Sequence, residues 1–305
     1  MKLGILILNY NGLRWLPGLL ESLRQEAGTN HHIYLVDNAS TDESLNYLNR
    51  EHPDVTIIRH AENLGYAEAY NRAIPQAFAD GCDWVCLQNT DTIVQPDWLA
   101  PIVAATASPS IGVMGPVFTE WNSDLPNGYM TARCRDLIPH MMDSARSPVD
   151  QDWVEGSCLF LRKECFEQIG GFNPLYFMYW EEADLCRRAR HEGWRVVIVP
   201  GSVCKHYACG SATCTGPGFL LLRNHFIYQL TDPFHNFARN FCLAARLCLT
   251  YLKQQMWDRR SVAGSLRLIW ATGSTVFCIR RCYVSWKIAC RTSAGKASAA
   301  VQIPS

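Results

Sequence analysis

The chain has 305 residues, 48% hydrophobic and 18% charged, which is material for one large α/β domain or a domain with an appendage. Lys plus Arg equal Asp plus Glu at 28 each, so whole-chain charge favours no class of partner. No stretch holds the ~18 uninterrupted apolar residues of a spanning helix; the nearest candidates, around 241–252 and 268–279, are too short or carry Arg246.

Residues 3–8 are a continuous apolar run and predict a buried parallel strand. Apolar spacing at Leu16, Leu19, Leu20 and Leu23 predicts a helix over 13–26. A second strand over 33–36 stops at Asp37-Asn38, and Asp42 caps a helix reaching Asn49. A third strand covers 55–59. Asn63-Leu64-Gly65 then turns into a helix over 66–79, with Pro75 as a kink. The fourth strand, 84–87, ends at Gln88-Asn89-Thr90-Asp91, and a helix follows over 96–106.

Residues 107–152 hold one apolar strand at 111–118 and then a long, irregular substrate loop. Residues 153–162 are strand-like, 163–170 a short helix and 181–191 a longer helix. A strand over 194–199 is expected to end at Pro200. From 219 to about 292 the pattern is helical and basic, and the Ala-Gly-Ser-rich end from 293 reads as disordered. The expected organisation is a domain over 1–218, a helical appendage over 219–292 and a tail over 293–305. Strand–helix alternation indicates an α/β fold with a doubly wound, mainly parallel sheet, whose ligand crevice lies at the strands' carboxyl ends.

The fourteen cysteines do not read as a disulfide framework. Cys82, Cys86, Cys158, Cys165 and Cys186 lie in apolar segments, and the opening apolar run is too short for an export signal. A reduced, cytoplasmic protein is expected. Cys204, Cys209 and Cys214 are spaced too widely for a paired-cysteine zinc site.

Four constellations carry chemistry. Asp37 ends a strand, where it can accept a hydrogen bond from a pyrimidine N–H or a ribose hydroxyl, or simply cap the turn. Asn89 and Asp91 are two positions apart, which puts both on one side of an extended segment; hard divalent cations take such oxygen ligands, and a polar turn uses the same residues. Tyr179-Trp180-Glu181-Glu182-Ala183-Asp184 sets three carboxylates beside two aromatics at a helix start. The helix dipole favours acids there, and a carboxylate can equally serve as general base while an aromatic stacks on a sugar. His206 could complete a metal shell or be structural.

In order along roughly residues 1–225, these pieces resemble glycosyltransferase family 2, of GT-A fold, and its branch that includes bacterial rhamnosyltransferases. The matching segments are Ile7-Leu8-Asn9-Tyr10-Asn11-Gly12, Val36-Asp37-Asn38-Ala39-Ser40 and Glu62-Asn63-Leu64-Gly65 with Asn71. Leu87-Gln88-Asn89-Thr90-Asp91, Glu155-Gly156-Ser157-Cys158-Leu159 and Ile169-Gly170-Gly171-Phe172 follow. The run from Phe177 through Glu182, Asp184-Leu185-Cys186, Arg188 and Gly193-Trp194 to His206 and Ser211 closes the set.

The resemblance implies that Asp37 contacts the nucleotide base, with Asn9 and Asn63 lining the donor pocket. It implies that Asp91 and His206 hold a divalent cation, Mg²⁺ or Mn²⁺, on the diphosphate, with Asn89 where many relatives carry Asp. It makes Glu182 the base, with Gly156, Trp180 and Glu181 about the acceptor. The implied reaction is an inverting transfer, of a sugar such as rhamnose, from a nucleoside diphosphate to a hydroxyl of a growing cell-surface glycan.

Glu181-Glu182 stands where relatives more often have Glu-Asp. One extra methylene can misplace a base by ~1 Å, a shift that can cost ~10²-fold in rate, so Glu181 or Asp184 stays open as the working group. Ala69-Tyr70 replaces the glycines common before Asn71, which bears on donor choice, and Asn173 replaces Asp. A non-catalytic sugar-nucleotide-binding scaffold is the alternative. A sugar-1-phosphate nucleotidyltransferase would need a Gly-rich, basic loop after the first strand, where Asn9-Tyr10-Asn11-Gly12 stands instead. The basic, aromatic C-terminal helices suit peripheral contact with an anionic membrane face and a lipid-linked saccharide acceptor, or packing against the core or a second subunit. Nothing resembles a nucleic-acid module, and the oligomeric state is left open.

Overall fold

The structure, a computed structural model, describes residues 1–25, 29–207, 218–257, 272–276 and 278–290. Among these residues one mixed sheet of nine strands forms the centre. Its parallel part comprises β1 (Leu3–Asn9), β2 (His31–Asp37), β3 (Thr56–Arg59) and β4 (Trp84–Asn89), in spatial order β3-β2-β1-β4. β1 is buried from Leu3 to Ile7. A strand without polar alternation must be covered on both faces, and that is its place in the middle of this part.

The mainly parallel sheet expected from the alternation is present, with one strand reversed inside it. β6 (Ile111–Glu120) runs the same way as β4 but is separated from it by β8 (Cys158–Arg162), which is antiparallel to both. After Glu120 the chain does not cross back over the sheet through a helix. It runs through α5 (Gly128–Arg133), a 3-10 turn (Ile138–His140) and β7 (Val149–Asp150), which pairs antiparallel with Val197–Ile198 at the middle level of the sheet, and then passes to the other side of β6 as β8. The sheet is thus α/β and mostly parallel, with a reversed strand in the middle.

β9 (Arg195–His206) pairs in parallel with β6 and does not stop at Pro200. Its register slips between Val199 and Val203, so Pro200 sits in a bulge, where its missing N–H costs no ladder bond. Gly201 in that bulge has φ +78°, and a Cβ there would lie 2.5 Å from Ser144 Cα. The continuation beyond the bulge pairs with β5 (Thr92–Val94), a three-residue strand absent from the sequence expectations.

The helices are α1 (Leu16–Arg24), α2 (Ser44–Glu51), α3 (Gly65–Ala79), α4 (Leu99–Ala105), α6 (Lys163–Ile169) and α7 (Glu181–His191). α1 and α4 begin three residues later than expected. α3 runs through Pro75 as one helix. Asp42 accepts from Ser44 N at 3.2 Å and from Leu13 N at 3.0 Å, tying the start of α2 to the β1–α1 loop. Gly65 has φ +74°, and a Cβ there would lie 2.2 Å from the Phe177 carbonyl. Its absence lets Tyr66 N donate to that carbonyl at 2.8 Å, so α3 holds the loop entering α7.

α8 (Gly218–Leu230) and α9 (Phe237–Trp257) pack on each other, and residues 278–290 are helical. Arg187 Nη1 donates to Tyr228 O at 2.7 Å, Arg223 Nη1 to Leu175 O at 3.0 Å and Asn173 Nδ2 to Ser285 Oγ at 2.8 Å. These helices are therefore bound to the α/β core by partly buried polar contacts. Among the described residues no helix is long and apolar enough to cross a membrane. The described cysteines are all thiols. Cys209, Ser211, Cys214 and the expected tail over 293–305 lie outside the described residues.

Candidate functional site

Adjacent parallel strands end in one polar row. β-sheet register places Asn9 opposite Asp37 and Leu8 opposite Asn89. Asp37 is fully buried; its Oδ1 accepts from Asn9 Nδ2 and Ser40 N, each at 3.3 Å, and its Oδ2 faces Arg59 Nε at 3.6 Å. Asn9 also donates to Ser40 Oγ at 2.9 Å and accepts from Gly12 N at 3.1 Å. Asn63 Oδ1 accepts from Asn38 Nδ2 at 2.8 Å and Gly65 N at 2.9 Å. Asn9 and Asn63 thus shape the two loops around Asp37.

The Asn89–Asp91 segment is not extended. It turns from β4 into β5, with Thr92 Oγ1 donating to Asn89 O at 2.7 Å and Asn89 N donating to Ser157 O at 2.9 Å. The turn and the Thr92–His206 pairing deliver Asp91 to the end of β9. Asp91 Oδ1 and His206 Nε2 are 3.6 Å apart, both largely buried. Two ligands each about 2.1 Å from one ion sit roughly 3.0–3.4 Å apart, so this pair fits a shared cation after a few tenths of an ångström of movement. Among the described residues no group of three or more acidic, histidine or cysteine side chains is arranged to hold a metal ion by itself.

Glu155 holds the imidazole from behind. Its Oε1 pairs with His206 Nδ1 at 2.5 Å and accepts from Ser157 Oγ at 2.9 Å, while Oε2 accepts from Asn127 Nδ2 at 3.1 Å. Burial opposes ionisation of Glu155, yet these hydrogen bonds and the His206 charge outweigh it and hold the carboxyl below its usual range. Burial likewise opposes the imidazolium, but Asp91 and Glu155 win and push His206 up to about 10.

The α7 carboxylates divide in three ways. Tyr179 (φ +75°) and Trp180 (φ +73°) are consecutive left-handed residues that aim the chain into α7. Asp184 is 200° around the helix from Glu182, and it is consumed by ion pairs with Arg188 at 2.8 Å and Arg187 at 3.3 Å. Glu181 is buried, and its carboxyl is pushed well above the usual range by burial and then by the charge of Glu182. Glu182 is pushed up to about 7 by burial and by the charge of Glu155, against backbone N–H bonds that lower it. Glu182 abuts Gly156: a Cβ there would lie 3.3 Å from Glu182 Cβ. Tyr66 OH donates to Gly156 O at 2.6 Å. Glu182, Gly156-Glu155, His206 and Asp91 are therefore one contiguous set. Trp180 stacks on His225 (4.4 Å, 13°), which covers one face of the indole.

The family model for glycosyl transferase family 2 matches residues 4–170, more than half of the chain. The chain belongs to glycosyl transferase family 2. It is similar to the N-acetylglucosaminyl-diphospho-decaprenol L-rhamnosyltransferase of Mycobacterium tuberculosis, 30% identical over 224 residues, covering 63% of this chain and 71% of the relative. It is also similar to the low-salt glycan biosynthesis hexosyltransferase Agl10 of Haloferax volcanii, 26% identical, covering 62% of each. Among solved structures it shares its fold with S. aureus TarS (TM-score 0.62, 13% identity, 97% of this chain and 54% of that one). The same fold is seen in the Pyrobaculum calidifontis mannosyltransferase PcManGT, solved with GDP-Man and Mn²⁺ (TM-score 0.56, 18% identity, 96% and 86%). The fold is the GT-A type, and the protein is a glycosyltransferase.

Sequence reasoning gave Glu155 no role in this family 2 enzyme, although it opens the quoted Glu155-Gly156-Ser157 segment. An acid immediately before a Gly-Ser turn was the only signal, and its histidine partner lies 51 residues away. Partners that orient a metal-binding histidine typically matter 10–100-fold in metal affinity. Glu155→Gln is accordingly expected to weaken Mn²⁺ binding, read by calorimetry with nucleoside diphosphate present, about 10–100-fold while the protein stays folded. Unchanged Mn²⁺ affinity would remove Glu155 from the site.

Proposed function

We propose that this glycosyltransferase is an inverting, divalent-cation-assisted enzyme that moves a hexose, with rhamnose the leading candidate, from a nucleoside diphosphate to a hydroxyl of a lipid-linked, cell-surface glycan. The observation that carries the reading is the approach of Asp91 and His206 to 3.6 Å beside Glu182 and Gly156. The rhamnosyltransferase relative, whose name specifies a diphospho-decaprenol acceptor, supports the sugar and acceptor classes.

Asp37 and the Asn9 and Asn63 loops receive the nucleoside, and Asp91 with His206 receives the diphosphate end. When bound, Mg²⁺ or Mn²⁺ supplies Lewis-acid neutralisation of charge on the diphosphate. Glu182 takes the proton of the acceptor hydroxyl as its oxygen attacks the anomeric carbon. The bond from that carbon to the diphosphate oxygen breaks, the nucleoside diphosphate departs with the electron pair, and the configuration inverts. Glu181, held neutral, gives Glu182 a neighbour that does not repel its charge.

The C-terminal helices supply the second half of the reading. Leu221, Phe241, Leu249, Tyr283, Val284 and Ile288 are exposed among Arg239, Arg246, Arg280, Arg281 and Lys287. This mixture suits peripheral contact with the anionic inner face of a plasma membrane, where a lipid-linked acceptor resides.

The test is a thermal-shift and turnover panel of thymidine, uridine and guanosine diphospho-sugars, with and without Mn²⁺. A ligand of the folded state raises Tm. The expected result is one preferred nucleotide, with nucleoside diphosphate released only when Mn²⁺ is present. Tight binding with no turnover of any donor, whatever acceptor lipid is added, would mark a scaffold instead.

A further inference from the structure

We infer that Asn224, on α8, is a positioning residue for the catalytic carboxylates, so that the C-terminal helices complete the active site. This rests on the reading of Glu182 as base. Asn224 is fully buried, and its Nδ2 donates to both Met178 O and Tyr179 O, each at 2.8 Å. Its Oδ1 accepts from Arg223 Nη1 at 2.8 Å. An amide nitrogen has two protons, and both are spent on consecutive carbonyls of one turn.

That turn is the strained entry to α7. Tyr179 and Trp180 both adopt left-handed backbone, a conformation unfavourable for non-glycine residues that persists only where surroundings impose it. Glu181 and Glu182 are the next two residues, so the path of this turn sets where both carboxylates point. α3 grips the same turn one residue earlier, through Tyr66 N on Phe177 O at 2.8 Å. α8 adds the stack of His225 on Trp180 and the Tyr228 ring 5.0 Å from it. The turn is held from both sides, and Asn224 of α8 hydrogen-bonds its backbone at both 178 and 179.

Asn240 is a built-in control. It is equally buried, and its Nδ2 also donates to two carbonyls, Leu230 O at 3.2 Å and Asp232 O at 2.8 Å. Those carbonyls lie at the α8–α9 junction, away from the turn. The experiment compares Asn224→Ala, Asn224→Asp and Asn240→Ala in the full chain. Amide exchange over residues 178–184 is measured without ligand, and turnover with the donor and Mn²⁺ selected by the panel above. Asn224→Ala and Asn224→Asp are expected to speed exchange in that segment about tenfold or more. They should lower kcat roughly 10–100-fold, the scale of a ~1 Å misplacement, with donor KM unchanged. Asn240→Ala should lower Tm and leave both the segment's exchange and kcat at wild-type values.

Wild-type exchange and kcat in the Asn224 variants would overturn the inference. So would losses of activity that merely follow Tm across all three variants, or failure of both Asn224 variants to fold when Asn240→Ala folds, since these indicate a structural role. Glu182→Gln separates the two levels: full activity there removes the base assignment and this inference with it, whereas an inactive Glu182→Gln beside an active Asn224→Ala overturns the positioning role alone.

Discussion

Glu182→Gln is expected to lower kcat by about 10²–10⁴-fold, the usual worth of a general base, while nucleoside diphosphate binding is unchanged. The amide keeps the shape and the backbone contacts of α7 but cannot take a proton. The wild-type kcat should rise with pH through about 7, because Glu182 is pushed there and only its ionised form is a base. The stability dependence runs the opposite way. Both carboxyls are raised in the fold above the ordinary 4.5, so the stability they contribute is full below that pH and is lost as pH rises through their folded values. Glu181→Gln should therefore raise Tm at pH 8 and leave it nearly unchanged at pH 4. A Glu182→Gln enzyme with wild-type kcat would refute the assignment.

Asp91→Ala and His206→Ala are each expected to abolish Mn²⁺-dependent turnover, a fall of roughly 10²–10⁴-fold given the several kcal/mol a cation supplies to a charged leaving group. Chelation of wild type should do the same, and Mn²⁺ should restore wild type only. His206 without a cation is held as imidazolium up to about 10, so binding at its Nε2 must expel a proton. Mn²⁺ affinity should rise with pH across the neutral range, and calorimetry in buffers of different ionisation enthalpy should register proton release. Cation-independent turnover in Asp91→Ala, or Mn²⁺ affinity flat with pH, would remove this pair from the chemistry.

Much of the site was readable before the fold. The helix over 181–191 was placed at its observed bounds because Gly193 and the acidic first turn mark both ends. The polar strand ends at Asn9, Asp37 and Asn89 stood out because they interrupt buried apolar runs. The diversion of Asp184 was also legible in principle, since helix geometry puts it opposite Glu182 and near two arginines. The extended reading of Asn89–Asp91 failed because a three-residue strand is too short to leave a periodic signal. The strand end at Pro200 failed because a proline stops a ladder only where its N–H is needed, and a bulge removes that need. The free stacking face of Trp180 is half taken by His225, 45 residues away, which no local pattern reveals.

The sequence by itself determined which segments are buried, where polar chemistry interrupts them and which family the ordered motifs resemble. These follow from short-range physics: apolar periodicity, backbone preferences of Gly and Pro, and residue chemistry at fixed spacing. Only the tertiary structure decided that β8 runs backwards and that β9 carries His206 past a bulge to Asp91. It alone decided that Glu155 orients that histidine and that Asn224 braces the turn before Glu182. Those outcomes depend on strand pairing and hydrogen bonds between residues tens of positions apart, whose register is set by the packing of the whole sheet.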